Sequence, residues 1–353
     1  MQRPLEARIA RGKSRRRPAH GCLLARVLTT SMLASVAASI ALAGCGRPFA
    51  EGGSGEITVI SEWPPDAPES LLLRAVLERE AVRIESEPAY SVRFVTPGDA
   101  RAYRARNVLV VGAGSSVPKP AQRMAGLLRK GGDPFVFTTD VWLRGQSAGL
   151  IWVDSRPDWI PAVAASQNRL FHALDRSTFA TVRARVSSLP HDDRIEHHLA
   201  DGLGLRLRVP RGYRLTLKSR DGAALLLEEG PPARLFRVAS LRDSSVDLRS
   251  ARARLARLFR PHERTLAIAE PVLTPNELKG STRQVNGRWE DEQVTAAGPF
   301  RAYEVHRGTR RYLVDLAVFA PGRPKLPYLR ELMAIAETLE PVAGVPSSPR
   351  SPR

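Results

Sequence analysis

The sequence predicts an α+β fold of two sheet-plus-helix units, with mostly antiparallel sheets covered by helices. Three observations carry that prediction. Residues 56–200 alternate short β-branched runs with apolar stripes at helical spacing. From about Leu203 the texture changes to a succession of short strands that ends on one more helix. The two cysteines of the sequence, Cys22 and Cys45, lie near its start, so no disulfide or thiolate cluster braces the folded part and a hydrophobic core must do so.

Residues 1–44 read as a leader and 45–55 as a flexible tether rich in Gly and small residues. The N-terminal α+β unit then spans 56–200. Ile57-Thr58-Val59-Ile60 opens it as a β-branched strand. At Asp66-Ala67-Pro68-Glu69 an Asp cap, an early Pro and an acid three residues on start a helix, whose buried stripe is Leu72, Leu73, Val76 and Leu77. Strands are predicted over 91–95 and 107–111, a helix over 121–128, and strands over 135–138 and 150–153. A long helical segment covers 158–188, with Ile160, Val163, Leu170, Phe171, Leu174, Val182 and Val186 on its buried side. A break is expected at 175–177, and Pro190 ends the segment.

The C-terminal α+β unit spans 201–341. Strands are predicted over 205–209, 213–218, 223–228 and 235–240, followed by a basic helix over 247–260. Three more strands, over 284–290, 300–306 and 312–319, precede a closing helix over 326–339. In that helix Leu329, Leu332, Met333, Ala336 and Leu339 repeat at helical spacing. The Pro/Ser/Arg composition of 342–353 predicts a disordered tail.

Leu42-Ala43-Gly44-Cys45 closes a weakly apolar run behind an arginine-rich start. Small residues ahead of a single Cys suit the narrow site of a lipoprotein signal peptidase. Cleavage ahead of Cys45 and lipidation of its thiol would tether the protein to a membrane of the cell envelope, on the extracytoplasmic side. The stretch before the apolar run is long for a signal peptide, which places an alternative translation start nearer Val27. The formal net charge is +18, carried by 48 Arg and only six Lys, a skew expected of GC-rich coding. At this charge nucleic acid would be the ordinary expectation, but the envelope address argues against it. Anionic lipid, an acidic polymer or an envelope protein are the expected partners, and no cofactor is expected.

Several segments together resemble the bacterial envelope lipoproteins of domain-of-unknown-function family 4837. They are Glu56-Ile57-Thr58-Val59-Ile60, Glu87-Pro88-Ala89-Tyr90, Arg106-Asn107-Val108-Leu109-Val110-Val111, Asp140-Val141-Trp142 with Gln146, and Pro210-Arg211-Gly212-Tyr213. The strongest block is Gly287-Arg288-Trp289-Glu290, Gly298-Pro299-Phe300 and Ala320-Pro321-Gly322, followed by Lys325, Tyr328, Leu329 and Arg330. Their order and spacing hold from about 56 to 341. The chain departs from the pattern after Trp142, where Leu-Arg-Gly replaces the usual small residue and Pro. The resemblance implies fold and address; the family has no established activity and supplies no catalytic residues.

Four groups of residues are candidates for chemistry. Gly145-Gln146-Ser147-Ala148-Gly149 spells a nucleophile elbow, but the strand-like Leu150-Ile151-Trp152-Val153 stands where a helix is required, which makes the match a coincidental turn. Gly112-Ala113-Gly114 lacks the third glycine of a dinucleotide loop. His191, Asp193, His197 and His198 have helical spacings compatible with a zinc site, and equally with the polar first turn of an exposed helix. Arg249, Arg252, Arg254, Arg257 and Arg260 form a basic face that, with Arg288 and Trp289, is the candidate binding surface. The expectation is a non-catalytic binding or scaffolding module at the membrane surface, with no catalytic or metal residues assigned. The alternative is an extracytoplasmic hydrolase using Ser147 or a metal at the His191–His198 cluster.

Overall fold

The structure, a computed structural model, describes residues 47–82, 87–131, 133–218, 222–228, 232–241, 246–269 and 278–342. Leu42, Ala43, Gly44 and Cys45, with the rest of the leader, lie outside the described residues, as does the expected tail beyond Val342. Phe49 and Glu51 bridge to Arg144 and Ala105, and Arg106 N donates to Glu51 O at 2.6 Å. The segment expected as a tether is therefore held from Phe49 onward, and from that residue the chain folds as one compact unit.

In chain order the first half contains β1 (Glu56–Ile60), α1 (Pro68–Leu77), β2 (Glu80–Val82), β3 (Glu87–Pro88), β4 (Ser91–Val95) and β5 (Asn107–Ala113). It continues with α2 (Gln122–Gly131), β6 (Phe135–Thr139), β7 (Ser147–Val153), α3 (Trp159–Ser188) and α4 (Asp193–Leu203). The second half contains β8 (Leu205–Arg206), β9 (Arg214–Lys218), β10 (Ala223–Glu228), β11 (Ala233–Ser240), α5 (Leu248–Phe259) and β12 (Glu263–Ala269). It closes with β13 (Ser281–Asp291), β14 (Ala296–Arg307), β15 (Arg310–Phe319), α6 (Leu326–Ala336) and β16 (Glu340–Pro341).

The fold is α+β, and its strand pairings are mostly antiparallel, as the sequence predicts. The first sheet, in the order β4-β1-β5-β7-β6, departs locally, since β4, β1, β5 and β7 all run parallel and β6 alone is antiparallel. The reason is visible in β5. Val108, Leu109, Val110 and Val111 are all buried, which requires cover on both faces and suits a central parallel strand. α2 covers one face against Val108, Val110 and Leu150; α1 and α3 cover the other against Ile57, Leu109 and Ile151.

The second sheet, in the order β12-β13-β14-β15-β11-β10-β9, is antiparallel throughout. Its alternating residues form two faces. Phe236, Tyr303, Val314 and Leu316 share the main core with α6, while Leu235, Phe300, Leu313 and Ala317 form a separate core under α5. The layers thus run α2, first sheet, α1 with α3, α6, second sheet, α5. Among the described residues no helix is long and apolar enough to cross a membrane.

α3 and α6 join the two halves. The break expected at 175–177 is absent, and α3 runs unbroken from Trp159 to Ser188. Its polar residues there have partners: Asp175, 1 % exposed, takes an ion pair from Arg330 of α6, and Ser177 Oγ meets Ser147 Oγ at 2.5 Å. Glu87 from β3 caps α6, accepting from Lys325 N at 2.7 Å and Leu326 N at 3.0 Å. Its carboxylate thus satisfies helix-start donors and complements the dipole.

Gly298 shows how tightly the second sheet packs. A Cβ added there would lie 2.0 Å from Val318 O and 3.4 Å from the indole nitrogen of Trp289, its partner across the β13–β14 pair. Around Gly126, an exposed α2 position, an added Cβ meets nothing within 4 Å. Gly298→Ala is expected to destabilise the protein by at least about 2 kcal/mol through overpacking. Gly126→Ala is expected to stabilise by up to about 1 kcal/mol through helix propensity. Urea unfolding midpoints of the two variants check the opposite signs.

Candidate anion-binding groove

α5 starts where Asp247 accepts from Ser250 N at 2.9 Å, a side-chain cap that satisfies an otherwise orphaned donor. Leu248, Ala251, Leu255 and Ala256 then recur at helical spacing and are buried on the second sheet. Arg252 falls inside that apolar stripe and is itself fully buried. A lone guanidinium there would be prohibitive, and three buried groups compensate it.

Arg237 of β11 and Asp315 of β15 are register partners across the sheet, and Arg237 Nη1 donates to Asp315 Oδ2 at 2.6 Å. Glu263, the first residue of β12, accepts from Arg252 Nη2 at 2.6 Å and is ion-paired to Arg237. Arg252 Nε completes the ring on Asp315 Oδ1 at 3.3 Å, and its Nη1 donates to Thr265 Oγ1 at 2.6 Å. All four charged side chains have 0 % exposure. Phe300 lies 4.0 Å under the Arg252 guanidinium. The square is neutral overall and ties α5 both to the edge strand β12 and to the interior strands β15 and β11.

Held in this way, α5 forms one wall of a groove of about 860 Å³ whose other wall is the start of β12 and its approach. Arg249 and Arg257 line it from the helix, His262 and Arg264 from the facing side. Arg249 and Arg257 are two turns apart, about 12 Å along the axis. Arg264 is paired with Glu292, but Arg257 has no carboxylate partner among the described residues. The groove is therefore a shallow cationic trough with a fixed floor.

The remaining candidates are placed differently from the expectation. Arg252 leaves the binding surface because it is consumed in the buried square. Trp289 leaves it because it is fully buried in the α5 core. It is Arg260, not Arg288, that faces the Trp289 ring, at 5.6 Å, while Arg288 pairs with Glu290 at 3.0 Å. Burial pulls the Arg260 guanidinium below its ordinary value, and the nearby Arg237 charge adds to this. Arg249, Arg254 and Arg257 remain exposed.

Ser147 opens strand β7 and is buried, with its hydroxyl on Ser177 Oγ rather than on a histidine. Gln146 beside it clasps the loop by donating to Tyr103 O and Ala105 O, each at 2.8 Å. Gly112 serves packing, since an added Cβ would lie 2.4 Å from Trp152. Asp192 caps α4, accepting from Arg194 N and Ile195 N, in keeping with the polar first turn of a helix. His197 and His198 each turn Nδ1 to a backbone oxygen four residues back, Asp193 O and Arg194 O. Among the described residues no group of three or more His, Cys, Asp or Glu is arranged to hold a metal ion. Arg237, Glu263 and Asp315 were missed; for Arg237 and Asp315 the one legible signal was a charge standing inside an otherwise apolar strand, and Glu263 offered none.

The model of the family described as a domain of unknown function (DUF4837) matches residues 261–338, which bears out the resemblance over β12 to α6. Among solved structures, a protein of Bacteroides thetaiotaomicron VPI-5482 is 10% identical with a TM-score of 0.22; the match covers 40% of this chain and 46%, about half, of that one. LpqN of Mycobacterium tuberculosis, described as involved in cell envelope biogenesis, is 14% identical with a TM-score of 0.22, covering 38% of this chain and 82% of its own. At those scores neither likeness carries an argument about this chain. No curated protein matches it.

Glu263→Gln removes one of two buried anions and leaves Arg237 and Arg252 sharing Asp315. A loss of about 3–5 kcal/mol in unfolding free energy is expected, measured by denaturant titration. An equal loss from the exposed Arg254→Gln would refute the assignment, since surface charges carry about 0–1 kcal/mol.

Proposed function

We propose that the protein is a lipid-anchored envelope module without catalytic activity, whose groove between α5 and β12 binds phosphodiester groups carried by membrane lipid or by an acidic envelope polymer. The observation that carries this reading is the alignment of Arg249 and Arg257, two turns apart along one wall, with Arg257 lacking a carboxylate partner among the described residues. Guanidinium groups suit phosphate oxygens through paired donors. The buried square beneath spares the groove the entropic cost of ordering its walls on binding. Leu42-Ala43-Gly44-Cys45 supports the address, because a module acylated at Cys45 would meet anionic surfaces at high local concentration.

The test is co-sedimentation of the protein beginning at residue 46 with vesicles of phosphatidylglycerol and phosphatidylcholine, in parallel with binding to a soluble glycerol-phosphate polymer. Binding is expected to fall steeply with salt. Arg249→Glu with Arg257→Glu is expected to weaken it by more than about tenfold. Salt-independent binding, or none to either probe, would remove the groove from this role. Separately, Cys45→Ser is expected to abolish incorporation of labelled fatty acid and release the protein from membranes. Unchanged labelling would overturn the anchor.

A further inference from the structure

The carboxyl ends of β5 and β7 open onto a trough far from α5 in the chain. The two strands are parallel neighbours, yet the chain leaves β5 for α2 and β7 for α3, helices on opposite faces of the sheet. Connections that part in this way leave a crevice beyond the strand ends, the place where open sheets of this kind hold ligands. Here the crevice is about 470 Å³ in volume, with Val117, Leu128 and Ala162 among its apolar lining. Trp152 of β7 also lines it. Its indole is half-buried and fixed in place: Nε1 donates to Gly114 O at 2.8 Å, and Gly112 has no side chain to displace the ring.

The charges that line the crevice are of one sign. Asp133, Asp154 and Asp158 contribute to it, and among the described residues no Lys, Arg or His does, although the chain as a whole carries +18. Asp133 is neutralised by an ion pair with Arg169. Asp158 accepts from Ser155 Oγ at 2.5 Å and makes no side-chain cap to α3. The Asp154 carboxylate has no partner among the described residues. Two carboxylates are therefore left without a counter-charge. A cleft lined by one sign concentrates the opposite one, and an indole face attracts an ammonium in addition. Gly112 and Gly114, which in a dinucleotide loop would border a phosphate, here border carboxylates that repel one.

We propose that this crevice binds an aliphatic diamine. Its two ammonium groups meet Asp154 and Asp158, and its methylene chain lies against Trp152, Val117 and Leu128. Two positive charges match the two uncompensated carboxylates, and the apolar lining favours a hydrocarbon body over a bare metal ion, which would need several converging oxygen ligands. The site is separate from the α5–β12 groove and does not depend on what that groove binds.

Calorimetric titration of the full chain with diaminopentane, at neutral pH and physiological salt, tests it alongside aminopentane and pentanol. Saturable binding is expected for the diamine, severalfold weaker binding for the monoamine, and none for the alcohol. Asp154→Asn with Asp158→Asn is expected to weaken diamine binding about tenfold. Both side chains are exposed, so the unfolding midpoint of that variant should hold. Asp193→Asn with Asp201→Asn, at two exposed acids of α4, changes the net charge equally and should leave the affinity unchanged. Arg249→Gln with Arg257→Gln should leave it unchanged as well. No saturable heat up to about 10 mM diamine would overturn the inference. So would undiminished affinity in Asp154→Asn with Asp158→Asn, or an equal loss in the α4 variant, which would mark diffuse attraction to the surface.

Discussion

Four charges sealed from water set the geometry of the C-terminal half. Two guanidinium and two carboxylate groups alternate so that each contacts opposite charges, and Thr265 and Phe300 take up what remains of Arg252. Such a cluster is a poor source of stability compared with apolar residues of equal volume, because desolvation cancels most of the attraction. What it imposes is direction. Glu263 enters the edge strand β12, while Asp315 and Arg237 lie on β15 and β11, three and four strands further in. Meeting on one α5 residue requires the sheet to curl around the helix. The rotation of α5 about its axis is fixed at the same time, and with it the row of Arg249 and Arg257.

The segments that resemble the family meet one another in space, although they are far apart in sequence. Glu87 caps the helix that begins beside Lys325, across 238 residues of chain. Arg330 reaches Asp175 and lies 5.6 Å from the Tyr90 ring centroid. Gly298 leaves room for Trp289 and for the carbonyl of Val318. These residues work at the junctions between layers. That is why their collinearity conveys the fold while saying little about chemistry.

What could be read from the sequence follows the range of the forces involved. Elements governed by local periodicity, such as α6 with Leu329, Leu332, Met333 and Ala336, were legible because burial and spacing agree there. Asp175 argued for a break only while its partner on α6, 155 residues away, was out of view. β12 escaped notice because it opens on Glu263-Arg264, a pair that reads as solvent-facing until Arg237 and Arg252 are placed beside it. For the same reason the five-arginine face was only partly a face: the helical wheel that puts Arg249 and Arg257 outward also turns Arg252 toward the sheet. Charge signs were readable; the identity of the partner across the fold was not.

The docking of Phe49 and Glu51 onto the first sheet has a mechanical corollary for the anchored form proposed above. Between an acylated Cys45 and Phe49 only four residue steps intervene, a reach of about 14 Å at full extension. That is under two screening lengths at physiological ionic strength, about 8 Å each. On so short a stalk the Phe49 end of the module would stay within the bilayer's electrostatic skin, and the module could swivel but not roam. Its search would cover a patch of surface about as wide as itself, and only lateral diffusion of the anchor would extend it further.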